Sequence, residues 1–197
     1  KVVTNDDGGD ALPDDFNLTV DDVSTLSNQT KTYPANTLLK ISETQVDGYK
    51  FVSITGDDKC PSEINGTITL VEGDDITCTI TNDDVAPTLT VLKTIVNDDG
   101  GLLDISGVTL YIDDSTVTNG TANTLSANQQ YTVSEDPITG YSASVWGGDC
   151  ADDGTITLSS GDVKTCTITN DDVAPTLKLV KDVDQGDGGN ENPDDFT

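Results

Sequence analysis

The stretch Cys78-Thr-Ile-Thr-Asn-Asp-Asp-Val-Ala-Pro-Thr-Leu89 recurs without change as Cys166–Leu177, 88 residues further on. An identical block at that spacing marks a tandem array of domains of about 90 residues, not one irregular fold. Working outward, Lys1-Val-Val-Thr-Asn-Asp-Asp-Gly-Gly9 returns as Lys93-Thr-Ile-Val-Asn-Asp-Asp-Gly-Gly101 and, more loosely, at Lys181–Gly189. Pro13–Phe16 (Pro-Asp-Asp-Phe) returns at Pro193–Phe196. The repeats divide the chain into residues 1–86, 87–174 and 175–197. The first unit lacks half of its opening strand, and the last segment reads as the first strand of a third repeat or a linking segment. The chain reads as a window on a longer array, with its tail joining the next unit either in one chain or by strand donation.

Within each unit the apolar residues alternate over short runs between Gly, Asn and Asp clusters. In the second unit these runs are Thr88–Val96, Val108 to Ile112, Tyr131 to Val133, Gly140 to Trp146, Ile156 to Leu158, and Val163–Asn170. In the first they are Phe16 to Val20, Leu39 to Ile41, Tyr49 to Ile54, Ile68 to Leu70, and Ile76–Asn82. Six or seven short strands with turns every eight to twelve residues predict an all-β chain of tandem Ig-like β-sandwiches. The joint Asn-Asp-Asp-Val-Ala-Pro has no Gly/Ser linker, and Pro87 and Pro175 stiffen it. A semi-rigid rod is expected.

Composition excludes several classes. The chain holds 36 acidic and 9 basic residues, a net charge of −27, with no His and no Met. A surface this acidic repels nucleic acid and anionic lipid. No apolar run approaches a membrane span, and any targeting segment is expected upstream. Cys60 and Cys78 hold the places in one unit that Cys150 and Cys166 hold in the other, which predicts one disulfide per domain and an oxidising, extracellular setting. Two Cys without His are too few ligands for a rival zinc site.

Strand parity gives the sharpest signal, because side chains alternate between faces. Lys93 shares parity with Leu89 and Val91, Asn170 with Cys166 and Ile168, and Glu135 with Tyr131 and Val133. Lys1, Glu43 and Asn82 repeat the pattern, and Lys181 follows Leu177 and Leu179. A buried Lys, Glu and Asn recurring together need compensation. One form is an isopeptide bond: a Lys amine made neutral by burial attacks the Asn carbonyl, ammonia leaves, and the Glu moves the protons. A buried Lys–Glu ion pair and a misread parity near the strand ends are the other readings.

These residues resemble a known family. The first-strand Lys, the Ser42-Glu43-Thr44…Gly48-Tyr49 segment and the last-strand Asn are similar to the collagen-adhesin B-type, SpaA-like (prealbumin-like) domains of bacterial pilins and adhesins. The resemblance implies an intramolecular Lys–Asn isopeptide bond catalysed by the Glu, with Lys1, Glu43 and Asn82 in one repeat and Lys93, Glu135 and Asn170 in the other. The second repeat departs from the pattern at Ser134-Glu135-Asp136-Pro137, where Thr is missing after the Glu.

Weaker signals remain. Asp6, Asp7, Asp98 and Asp99 sit in Asx-rich turns that can offer oxygen ligands, which makes calcium the candidate ion; no other cofactor is expected. The same residues also read as plain hairpin turns. Asn17, Asn28, Asn65 and Asn119 fit Asn-x-Ser/Thr glycosylation sites. Tyr49, Tyr141 and Trp146 read as core or sheet-face aromatics. The expected function is a structural repeat of an extracellular or cell-surface filament, pilus or stalk, whose partners are copies of itself head to tail. The alternative is an adhesin module that binds a host protein or glycan. No enzyme is expected, since the chain offers no His and no nucleophile motif.

Overall fold

The computed structural model describes residues 1–195; Phe196 and Thr197, the end of the predicted third-repeat segment, lie outside the described residues. Short β-strands and three-residue 3-10 turns make up the regular structure. None of the described helices is long and apolar enough to cross a membrane.

The first repeat comprises β1 (Val2–Thr4), β2 (Leu18–Val20), β3 (Val23–Thr25), β4 (Leu38–Glu43), β5 (Tyr49–Gly56), β6 (Thr67–Thr69) and β7 (Cys78–Asp84). The second comprises β8 (Thr88–Val96), β9 (Leu110–Ile112), β10 (Ser115–Val117), β11 (Ala122–Thr124), β12 (Gln129–Glu135), β13 (Tyr141–Ala143), β14 (Gly147–Gly148), β15 (Thr155–Leu158) and β16 (Val163–Asp172). Each repeat pairs two sheets. The first has β1-β7-β5 against β3-β2-β4-β6; the second has β11-β8-β16-β13 against β10-β9-β12-β15. The chain is thus all-β, built as tandem sandwiches.

The first and last strands of each repeat are parallel neighbours. β8 pairs with β16 from Thr88↔Val163 to Val96↔Asp171. β1 pairs with β7 only from Val2↔Thr81 to Thr4↔Asp83. Parallel strands need a long crossover, and here the whole sandwich is that crossover. The apolar alternation explains the core. Leu89, Val91, Leu110, Ile112, Val133 and Leu158 are buried between the second repeat's sheets with Tyr131, Trp146 and Ile168. The first repeat buries fewer apolar side chains, namely Phe16, Leu18, Leu39, Tyr49, Ile54, Ile68 and Ile80, with Ile41, Phe51 and Cys78 only partly covered.

The predicted run from Gly140 to Trp146 is broken. The Ser144 N–H donates to the Thr169 carbonyl, and the Ser144 hydroxyl accepts the Thr169 N–H. This irregularity lets Trp146 turn into the core. The segment predicted as a third first strand forms no strand, and Leu177 and Leu179 are 85% and 86% exposed.

The two repeats touch directly. The Ala127 N–H donates to the Asp7 carbonyl (2.8 Å), Asn128 Nδ2 to the Gly8 carbonyl (2.9 Å), and the Gly161 N–H to the Val85 carbonyl (2.7 Å). Gly8 has φ +89°, and a Cβ there would meet the Ala127 carbonyl oxygen at 2.6 Å. Gly48 packs just as closely on Ser160. Only glycine combines this left-handed backbone with so close an approach.

Candidate functional site: a buried Lys–Glu–Asn cluster in each repeat

Parallel pairing sets the geometry. Lys93 lies opposite Ile168 and Asn170 opposite Ile95, so on adjacent strands Lys and Asn are two positions apart on the inward face. β12 of the opposing sheet brings Glu135 across to them. Lys93 is 4% exposed, Asn170 2% and Asn82 0%. The side chains of Lys1 and Glu43 are 0% and 2% exposed, and those of Lys93 and Glu135 0% and 9%.

In the first repeat the Glu43 carboxylate touches both Lys1 and Asn82. Lys1 Nζ donates to its Oε2 at 2.7 Å, and Asn82 Nδ2 donates to its Oε1 at 2.6 Å. The Asn82 Oδ1 is buried and accepts no hydrogen bond. In the second repeat Lys93 Nζ stands 2.6 Å from Glu135 Oε2, and the Asn170 Oδ1 is likewise buried and unpaired. Burial pushes the Lys1 and Lys93 amines below the usual lysine range, and the neighbouring Glu43 and Glu135 oppose this only in part. Such an amine is more readily neutral and nucleophilic. Lys181 is exposed in the tail.

Phe16 adds a contact that parity did not single out. Lys1 Nζ lies 3.8 Å from the Phe16 ring centroid, and the same ring meets Tyr49 edge-on at 5.4 Å. Aligning the repeats reveals the asymmetry, since Val108 stands at the matching place. Disulfides join Cys60 to Cys78 and Cys150 to Cys166, tying the last strand of each sandwich to the loop ahead of it.

The acidic turns form a latch. Asp84 is fully buried, and its carboxylate accepts the N–H groups of Asp7 (3.1 Å) and Gly9 (2.6 Å). The Tyr49 hydroxyl donates to Asn5 Oδ1 and accepts the Ala11 N–H. Asp172, Asp99, Gly101, Tyr141, Asn97 and Leu103 repeat the arrangement. The signal was present in parity: Asp84 lies two positions beyond Asn82, on the same inward face.

Carboxylate oxygens of Asp6, Asp83 and Asp84, and of Asp98, Asp171 and Asp172, lie within 4.8 Å of one another and could face a cation. Asp7 and Asp99 belong to the same loops. Their backbone N–H groups face the buried carboxylate, because the turn points the amide inward. Burial would raise the Asp172 carboxyl, but the amides of Asp99 and Gly101 outweigh it and hold it below its ordinary value. That contribution to stability is present above the unfolded value of 3.8 and is lost as pH falls through the lower folded value. Asp84→Ala strands two loop amides and should cost roughly 2–3 kcal/mol in urea unfolding, with β1 and its loop exchanging amide protons first. Of the glycosylation candidates, Asn17, Asn28 and Asn65 are exposed. Asn119 is half-buried, and its side-chain oxygen accepts the Lys93 N–H at 2.7 Å.

Two-sheet sandwiches with parallel terminal strands and a buried Lys–Glu–Asn cluster define prealbumin-like modules. Residues 1–80 and 84–168 match the SpaA_2 family, described as a prealbumin-like fold domain, and the chain belongs to that family. Among solved structures, the major pilin protein T3.2 of Streptococcus pyogenes is 15% identical, with 72% of this chain and 69% of that one covered and a TM-score of 0.37. The T-13 major pilin of the same species is 12% identical, with coverage of 77% and 78% and a TM-score of 0.35. A third S. pyogenes major pilin is 16% identical, with coverage of 75% and 73% and a TM-score of 0.34. No curated protein matches the chain.

Proposed function

We infer that this chain is a structural segment of an extracellular filament, pilus or stalk, whose modules follow one another head to tail and are closed by Lys–Asn isopeptide bonds as well as disulfides. The observation that carries this reading is the Glu43 carboxylate held against both the Lys1 amine and the Asn82 amide. The neutral amine attacks Asn82 Cγ, so the Nζ–Cγ bond forms and the Cγ–Nδ2 bond breaks. Glu43 takes a proton from the attacking nitrogen and passes it to the departing one, which leaves as ammonia. Lys93, Glu135 and Asn170 do the same in the second repeat. The reaction occurs once per module and turns over no substrate.

The topology gives the bond a mechanical meaning. Load enters a module at its first strand and leaves at its last. These strands are parallel neighbours, so a Lys93–Asn170 tie passes the load straight across. The residues between them are then never stretched. The reduced full chain should weigh less than its sequence mass by about 17 Da, one ammonia, per bond formed. Glu43→Gln and Glu135→Gln should each restore one of these increments. A wild-type mass equal to the sequence mass removes the isopeptide from this reading.

A further inference from the structure

The two edges of β8 are held differently. In a strand the N–H and C=O of one residue leave on one side and those of the next residue on the other. Leu89, Val91 and Lys93 turn theirs away from β16. The Leu89 carbonyl accepts from Asn123 Nδ2 (3.2 Å), the Val91 carbonyl accepts the Gly120 N–H (2.9 Å), and the Lys93 N–H donates to Asn119 Oδ1 (2.7 Å). β11 pairs only with Thr88–Thr90 and stops short of Lys93. The Lys93 amide is therefore held neither by β16, which carries Asn170, nor by β11, but by one side chain. Lys93 is 4% exposed, so water is a poor substitute for that acceptor.

A turn aims Asn119 at this amide. Thr118–Thr121 closes through the Thr121 N–H and the Thr118 carbonyl (3.1 Å), with Gly120 in third place at φ +71°. The first repeat builds the same device from other residues. Leu26–Gln29 closes through the Gln29 N–H and the Leu26 carbonyl (3.2 Å), with Asn28 in third place at φ +63°. Its second residue, Ser27, accepts at Oγ from the main-chain nitrogen of Lys1 (3.1 Å). In both repeats the acceptor lies 26 residues beyond its lysine. What the two turns share is a side-chain oxygen at one place, not a residue type.

That place matters for the chemistry. A bond from Nζ to an amide carbon forms only from a pose of about 3–3.5 Å, and a shift of ~1 Å can cost about a hundredfold in rate. A slide of β8 at Lys93 would carry the amine with it.

We propose that Asn119, and Ser27 in the first repeat, are positioning residues for isopeptide formation: each anchors the main-chain nitrogen of its lysine and so fixes where the amine meets the Asn side chain. The proposal rests on the isopeptide reading above.

The test follows bond formation in time. The full chain is made by cell-free synthesis under disulfide-forming conditions, quenched in acid at intervals, reduced and digested. Mass spectrometry then measures the linked peptides Lys93–Asn170 and Lys1–Asn82. Asn119→Ala should slow the first link roughly 10–100-fold and leave the second on schedule, so repeat 1 is the control within each molecule. Asn119→Asp keeps the accepting oxygen and should run at the wild-type rate. Asn123→Ala removes a hydrogen bond from the same edge at Leu89, so it should lower the stability of repeat 2 in urea without slowing the link. A link that forms in Asn119→Ala as fast as in wild type overturns the proposal, with the isopeptide bond still standing. Equal slowing in Asn123→Ala also overturns it, because edge stability and not placement of the lysine would then set the rate. A wild-type chain that forms neither link removes the isopeptide reading and this proposal with it. Should Asn119→Ala not fold, Ser27→Ala carries the test in repeat 1: it should slow the Lys1–Asn82 link alone, and an unchanged rate there overturns the proposal.

Discussion

Lys93→Ala should destabilise the second sandwich by about 3–5 kcal/mol, because it leaves the buried Glu135 carboxylate facing an empty site. The Lys93 side chain is 0% exposed and that of Glu135 9%, so water does little to compensate. The informative partner is the double exchange Lys93→Met with Glu135→Leu. If the cluster is only an ion pair, an apolar pair of similar volume recovers most of the loss, since desolvating two charges offsets much of their attraction. If Lys93 is bonded to Asn170, the double exchange falls as far as the single one, because both lose the tie between the terminal strands. Urea unfolding followed at Trp146, which lies in this core, reads out both variants. Recovery in the double variant would argue directly against the covalent bond in repeat 2.

Much of this site was legible before the structure, for a physical reason. β8 runs Thr88–Val96 without a bulge, so parity counted from Leu89 carries through to Lys93 without slipping. Asn82 and Asn170 follow from Cys78 and Cys166 in the same way. Strands whose side chains face water were harder to read. β10 (Ser115–Val117) and β11 (Ala122–Thr124) carry Ser, Thr and Asn with almost no apolar alternation, and they are strands because their backbones pair with β9 and β8. The Asp84 latch joins residues 75 and 77 apart in sequence. Local turn chemistry explains the Asx-rich loop but does not say that a buried carboxylate anchors it from behind. Tyr49 and Tyr141 were read for their rings, whereas their hydroxyls fix the same loops.

Reducing both disulfides should separate the repeats in stability. Each bond closes a short loop, with partners 18 and 16 residues apart, and constrains the unfolded chain by about 3 kcal/mol. Losing that amount weighs more on the repeat with the smaller core. Repeat 1 buries seven apolar side chains, Phe16, Leu18, Leu39, Tyr49, Ile54, Ile68 and Ile80; repeat 2 buries thirteen, including Leu89 and Val91. Single domains of this size have small margins, and the joint adds few hydrogen bonds to couple one repeat to the other. The reduced chain should therefore unfold in two steps in urea, with repeat 1 first. Pulse proteolysis with mass identification should release peptides from residues 1–84 before any from 88–172. One transition that takes both repeats together would show that the joint, not each core, sets stability.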